Sequence, residues 1–399
     1  MIRIFFFIIF VSAVILFFGL VQILLLRQLN QVWWEKKWVR RSAYVLPAAG
    51  VLFMVLLGVA EYNRIGWLST ISGPLTVVAV VLEIGLMLSL PVSGMFHLVE
   101  RLIERWVRSR NHSSEDIPDP RRRLLLRGAA ALVPAATVSM GLGGVGRAYA
   151  PAEVTLKTFR FDRLPNAFDG FRILHLSDLH LRHYVGLDDL EAMLVNASAL
   201  SPDLILVTGD IADDLNLLPD ALALIAQAKP RLGCFAVLGN HEYFRGITQV
   251  RHTFEGSDIS LLIDDGMRLA TGGDSLFLGG TDDPMTMHDT PRDYFSASID
   301  KTFLDASEGE FTLMMSHRPD AFPPAAERKI DLTLSGHTHG GQIGFAGRSI
   351  LERALPESYL WGHYQLGHSQ LYTSCGAGHW FPFRLGCPAE APVIELKIT

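Results

Sequence analysis

Phe171-Arg-Ile-Leu-His-Leu-Ser-Asp-Leu-His180 runs a short aliphatic stretch straight into an aspartate and a histidine one residue apart. The run predicts a buried β-strand. Positions i and i+2 of an extended chain point to the same side, so Asp178 and His180 are expected to leave the strand end facing one point. A carboxylate and an imidazole so placed make half of a metal site. The remainder must come from the ends of other strands.

Four later runs supply it. Leu204-Ile-Leu-Val-Thr-Gly-Asp210 ends on a carboxylate, and Phe235-Ala-Val-Leu-Gly-Asn-His-Glu242 ends on an amide, an imidazole and a carboxylate. Thr312-Leu-Met-Met-Ser-His317 and Leu332-Thr-Leu-Ser-Gly-His-Thr-His339 each end on imidazole. Further strands are expected at 276–278 and 393–398, and helical patterns at 187–199, 217–228 and 321–328. Buried runs alternating with helices indicate an α/β domain, and ligands of such sheets bind at the carboxyl ends of strands. Five strand ends therefore offer Asp178, His180, Asp210, Asn240, His241, His317, His337 and His339. Oxygen and imidazole donors without thiolates suit Mn, Fe or Zn rather than calcium. The set exceeds the needs of one ion, so two divalent metal ions are expected, with Asp210 as the bridge. Two such ions can activate a water and clamp the oxygens of an in-line phosphoryl displacement. His175, three residues before Asp178, is expected to face the other side of its strand as a core histidine.

Taken together, Asp178-x-His180, Gly209-Asp210, Gly239-Asn240-His241-Glu242, His317 and Gly336-His337-x-His339 resemble the five-block signature of calcineurin-like metallophosphoesterases. The resemblance covers about residues 170–345 and lacks no ligand. The N-terminal apolar spans, Asp282-Asp283-Pro284 and Gly340-Gly341-Gln342 make it similar to the membrane-associated bacterial branch. The resemblance implies two packed mixed β-sheets flanked by helices. It implies that Asp178, His180, Asp210 and His339 bind one metal, and that Asp210, Asn240, His317 and His337 bind the other. His241 is then the non-ligand histidine that protonates the leaving group or contacts the phosphate, with Glu242 orienting it. Asn240 and His241 would also meet the substrate, and Arg182 and His183 would border its pocket. Gly376-Ala-Gly-His379 and Arg384 resemble a glycine-rich rim loop.

The 399 residues are 49% hydrophobic and 19% charged, and the apolar residues concentrate in the first 150. A net charge of −6 gives no reason to expect nucleic acid as a partner. Three cysteines make neither a disulfide framework nor a zinc spacing, although Cys375 and Cys387 could bridge in an oxidising compartment. Residues 4–26, 43–60, 71–96 and 128–146 are apolar enough for four transmembrane helices. Glu83, near the middle of the third, reads as a protonated or helix-paired carboxylate inside a small bundle. Arg121-Arg-Arg-Leu-Leu-Leu-Arg127 resembles an internal twin-arginine export segment, with Pro120 where Ser or Thr is usual and Pro151 blocking cleavage after Ala150. The segment is expected to stay attached. Residues 1–150 thus read as a membrane region and 151–399 as the phosphoesterase domain.

Basic loops stay in the cytoplasm. Arg27, Lys36, Lys37, Arg40 and Arg41 place the first loop inside, and the arginines of 101–123 do so for the third. Four spans then put the domain outside a bacterial cytoplasmic membrane, whereas three would keep it inside. The leading expectation is a phosphomonoesterase or phosphodiesterase acting on a phosphoester substrate, with a lipid or cell-envelope component as candidate. The alternatives are a cytoplasm-facing pyrophosphatase on a nucleotide-linked lipid such as UDP-diacylglucosamine, or a non-catalytic metal-binding module that docks a wall polymer or partner protein. Oligomeric state is not legible.

Overall fold

The computed structural model describes residues 2–63, 65–110, 120–182, 184–285, 291–379 and 381–399. It divides into two compact units, Met1–Gly146 and Arg147–Thr399. His183, expected at the substrate pocket, and most of the polar loop before Pro120 lie outside the described residues.

The first unit is helical: α1 (Ile2–Gln28), the short α2 (Gln31–Trp34), α3 (Lys37–Asn63), α4 (Gly66–Arg110) and α5 (Pro120–Ala148). Four of these are long and apolar enough to cross a membrane. Small residues allow the close packing that lipid-immersed helices require; Gly50 of α3, for instance, lies against Ala79 and Ile15. Glu83 is fully buried, and neither of its oxygens has a hydrogen-bond partner among the described residues. The twin-arginine-like run falls inside α5. There Arg123 pairs with Glu104 at 2.7 Å and Arg127 with Glu100 at 2.9 Å, both on α4.

The second unit is a sandwich. Its strands are β1 (Leu156–Phe161), β2 (Arg172–Leu176), β3 (Leu204–Thr208), β4 (Cys234–Val237), β5 (Ser260–Leu261), β6 (Asp265–Thr271) and β7 (Asp274–Gly280). They continue with β8 (Thr312–Met315), β9 (Leu332–Ser335), the small hairpin β10 (Gly344–Phe345) and β11 (Arg348–Ser349), β12 (Gly362–Leu366), β13 (Ser369–Thr373) and β14 (Val393–Ile398). One six-stranded mixed sheet runs β1-β14-β2-β3-β4-β5 and the other β12-β13-β9-β8-β7-β6. Strands β2, β3 and β4 are mutually parallel, as are β7, β8 and β9.

Side-chain alternation builds the layers. Ile173, Leu204, Leu206, Phe235 and Val237 meet Leu313, Met315, Leu332 and Leu334 between the sheets. Leu174, Leu176, Ile205 and Val207 face the other way, onto α6 (Leu187–Ser198), α7 (Leu218–Gln227) and α8 (Asn240–Glu255). On the far face of the second sheet, Met314 packs on α9 (Pro291–Thr302) and α10 (Phe322–Glu327). His175 follows Ile173 into the inter-sheet core, fully buried, with Nε2 at 2.8 Å from the Thr208 hydroxyl. This layering places the carboxyl ends of β2, β3, β4, β8 and β9 along one rim. Cys234, Cys375 and Cys387 are all buried free thiols, so the pairing raised from sequence is not made.

Candidate metal centre

Asp178 and His180 converge, but not by strand parity. Strand β2 ends at Leu176, and both residues lie beyond it in the left-handed region, at φ 52° and 47°. Asp210, His337 and His339 share that conformation, at φ 52°, 70° and 49°. Such backbone costs a residue with a Cβ about 1–2 kcal/mol, and its clustering at one rim marks strain retained where side chains must be aimed. Gly209 and Gly336 make the turns possible. A Cβ on Gly209 would stand 2.6 Å from Gly239 N, and one on Gly336 only 2.1 Å from Asp178 Oδ2.

Among the described residues the candidate ligands gather in two groups: Asp178, His180 and His339 form one, all buried, and Asp210, His317 and His337 form the other, with His337 half-buried; Asp213 and His241 make a third cluster with His180. Nε2 of His180 lies 3.2 Å from Nε2 of His339, and Nε2 of His317 lies 3.2 Å from Nδ1 of His337. Asp210 stands between the groups, its Oδ2 3.6 Å from His180 Nε2 and 3.3 Å from His317 Nε2. Asn240 Oδ1 is 3.2 Å from the same His317 nitrogen. Second contacts fix the rings and carboxylates. His317 Nδ1 donates to the Thr208 carbonyl at 2.7 Å, which leaves Nε2 as the nitrogen facing the group. Asp178 accepts from the His337 amide at 2.9 Å and from the Ser177 hydroxyl at 2.6 Å.

These donors fit a pair of divalent cations. Ring nitrogens facing each other at 3.2 Å repel unless a proton or a cation lies between them, and the carboxylates nearby favour the cation. Electrostatics reflect the crowding. Burial opposes charge on His317, yet Asp210 and Asp178 outweigh it and push its pKa up to about 10. Asp213, Asp210 and Asp178 likewise overcome burial to raise His180 to about 9. Asp210 is held well below the usual carboxylate range, because His317, His180 and His241 outweigh its burial.

His241 sits at the edge of the cluster with its side chain 17% exposed, and its Nδ1 is 2.6 Å from Asp213 Oδ1. Asp213 also lies 3.6 Å from His180 Nδ1 and accepts from Arg245 Nε at 3.1 Å. This residue was not identified from sequence. Its signal was only its position, three residues after Asp210, in a stretch without a strand.

Glu242 corrects an expectation. It does not touch His241; its carboxylate accepts from the backbone amides of Gly239 (2.7 Å), Ile211 (2.8 Å) and Asp210 (2.9 Å). As the third residue of α8 it points back along its own helix, as an N-terminal carboxylate does, and so away from the His241 ring. Asp213 is the carboxylate on that ring. Arg182 is half-buried, belongs to neither group, and makes its backbone bond to Val185 O at 2.9 Å. The rim loop after β13 rests on the centre, since a Cβ on Gly376 would stand 2.8 Å from Asp178 Cβ. The buried Arg384 holds that loop through the carbonyls of Gly376 (3.0 Å) and Gly378 (2.6 Å).

A profile of the calcineurin-like phosphoesterases matches residues 171–341. An uncharacterized metallophosphoesterase, YkuE, of Bacillus subtilis is 30% identical over 70% of this chain and 98% of its own length. A transmembrane protein with metallophosphoesterase domain from Bos taurus is 30% identical over 70% of this chain and 64% of its own. Phosphodiesterase YaeI of Escherichia coli is 29% identical over 57% of this chain and 82% of its own length.

Proposed function

The chain belongs to the calcineurin-like phosphoesterase family, a family of metal-dependent phosphoester hydrolases, and on that premise we propose that it hydrolyses phosphomonoesters or phosphodiesters at a two-metal centre in a domain tethered to a membrane. The observation that carries this reading is the position of Asp210 Oδ2, within 3.6 Å of a histidine nitrogen from each of the two groups. One carboxylate so placed suits a bridge. Asp178, His180, His339 and Asp210 would hold one ion; Asp210, Asn240, His317 and His337 would hold the other, with Mn, Fe and Zn matching the donors. Two ions held there would acidify a water and neutralise charge on the phosphoryl oxygens.

The chain's own residues do the rest. His241 keeps a proton toward the leaving alkoxide, its ring fixed through Nδ1 by Asp213. Glu242 holds the amides beneath Asp210, and so acts on the position of the bridge rather than on His241. Four apolar helices support membrane association. We take α5 as a retained fourth span, and the loop charges then favour a domain outside the cytoplasmic membrane. Substrates of lipid or envelope origin fit that location.

The detergent-solubilised full chain supplied with Mn²⁺ is expected to cleave p-nitrophenyl phosphate or its bis-p-nitrophenyl diester, and Asp210→Asn and His337→Ala to abolish cleavage. Undiminished turnover in either variant would defeat the mechanism. Two bound metals with no turnover on any ester would favour a binding module. Protease protection of residues 151–399 in intact spheroplasts would reverse the orientation.

A further inference from the structure

We propose that Arg318 binds the substrate's phosphoryl oxygens, reaching them with one arm of its guanidinium at the outer edge of the His337 ring. The inference rests on the phosphoesterase reading and adds a residue that recognises the substrate at the same site.

Arg318 directly follows His317 and is 5% exposed. A guanidinium keeps its charge at any working pH and, once buried, needs acceptors. Nε donates to Asp283 Oδ2 at 2.8 Å, and Asp283 is itself only 3% exposed. Nη2 reaches Met285 O at 3.4 Å, while the other Asp283 oxygen takes the Met285 amide at 2.6 Å. These contacts fix the plane of the guanidinium and leave Nη1 toward the outer edge of the His337 ring. Nη1 stands 2.7 Å from Nε2 of His337.

That contact is a hydrogen bond only while Nε2 carries a lone pair. The other ring nitrogen, Nδ1, faces His317 Nε2 at 3.2 Å and is the one aimed at the second group. A cation on Nδ1 leaves the neutral ring's proton on Nε2. Nε2–H and Nη1–H are then two donors and cannot bond each other. The arm is thus fixed by Asp283 at the edge of the second group and needs an oxygen acceptor there. His337 is half-buried while Arg318 and Asp283 beside it are buried, so a substrate oxygen would meet the arm past the edge of the His337 ring. A phosphoryl oxygen satisfies Nη1 with a charge-assisted bond, the pairing guanidinium geometry favours.

The test uses the metal-loaded full chain in detergent. Metal stoichiometry is measured by mass spectrometry, and binding of inorganic phosphate by calorimetry. Arg318→Met is expected to keep the wild-type metal content and weaken phosphate about 30-fold, with Arg318→Lys recovering part of the loss. Should Arg318→Met fail to fold, Asp283→Asn frees the arm without removing its charge, and a roughly 5-fold loss of phosphate affinity is expected. Unchanged phosphate affinity, or loss of metal in the folded variants, would overturn the assignment. If the wild type binds no metal and cleaves no ester, the underlying function falls with it. Wild-type turnover with unaltered phosphate binding in the variants defeats this inference alone.

Discussion

Asp213 lies 2.6 Å from the Nδ1 of His241 and 3.6 Å from that of His180, so one carboxylate meets two rings to which the proposed mechanism gives different duties. Burial opposes its charge, but the two histidines hold its pKa well below the ordinary carboxylate range, and it acts as a permanent acceptor. Asp213→Asn should therefore lower kcat about 100-fold by letting the His241 ring turn, and weaken the metal site of His180 by roughly 10-fold. Steady-state kinetics at saturating Mn²⁺ and metal titration separate the two effects; wild-type kcat in the variant would rule out the orienting role. The sequence made His241 legible but not its partner. The family resemblance pointed to Glu242, whereas a helix turns the carboxylate of its third residue back toward its own first amides. Only the three-dimensional course of the loop after β3 brings Asp213 under the ring.

Elements buried on both faces were the readable ones. Strands Arg172–Leu176, Leu204–Thr208, Thr312–Met315 and Val393–Ile398 stand where the aliphatic runs placed them, because continuous burial demands continuous hydrophobicity. The edge strands Leu156–Phe161 and Gly362–Leu366 are half-exposed and show no such run. Helix α8 escaped because its sequence is polar and Gly246 breaks its regularity at φ 143°. The turns that carry the candidate ligands read as extended strand ends in the sequence and are left-handed in the structure. That difference has a measurable cost. Gly209→Ala adds a Cβ at φ 82° and 2.8 Å from His317 Nδ1. It should destabilise the catalytic unit by about 2–4 kcal/mol, combining left-handed strain with overpacking. A denaturation midpoint equal to wild type would show that the turn relaxes freely.

The whole molecule divides into a helical unit with no candidate metal group among its described residues and a sandwich whose rim concentrates Asp178, Asp210, Asp213 and Glu242. Burial, with Asp210 beside it, raises Glu242 to about 7, a sign of how much negative charge the rim already carries. Cations should stabilise the second unit selectively. Each site filled at a hundredfold excess over its dissociation constant contributes about 2.7 kcal/mol, or roughly 5–10 °C in a domain of this size. Chelation is accordingly expected to lower the second unit's melting transition by at least that much in the full chain, and Asp210→Asn to remove most of the response. A midpoint indifferent to chelator would argue against resident metals. At this scale composition separates an apolar first stretch of about 150 residues from the rest of the chain. The pairing of Arg123 and Arg127 with α4 was hidden, because basic residues before an apolar run look the same whether they serve export or helix docking.

Glu242 grips amides from the turns after both β3 and β4. Neither turn can swing without dragging the other, so the cradle behaves as a single casting. Such a frame, fixed before its guests arrive, loses little chain freedom when they do. Entry of the ions should then be governed by their approach and dehydration, with no folding step to wait for.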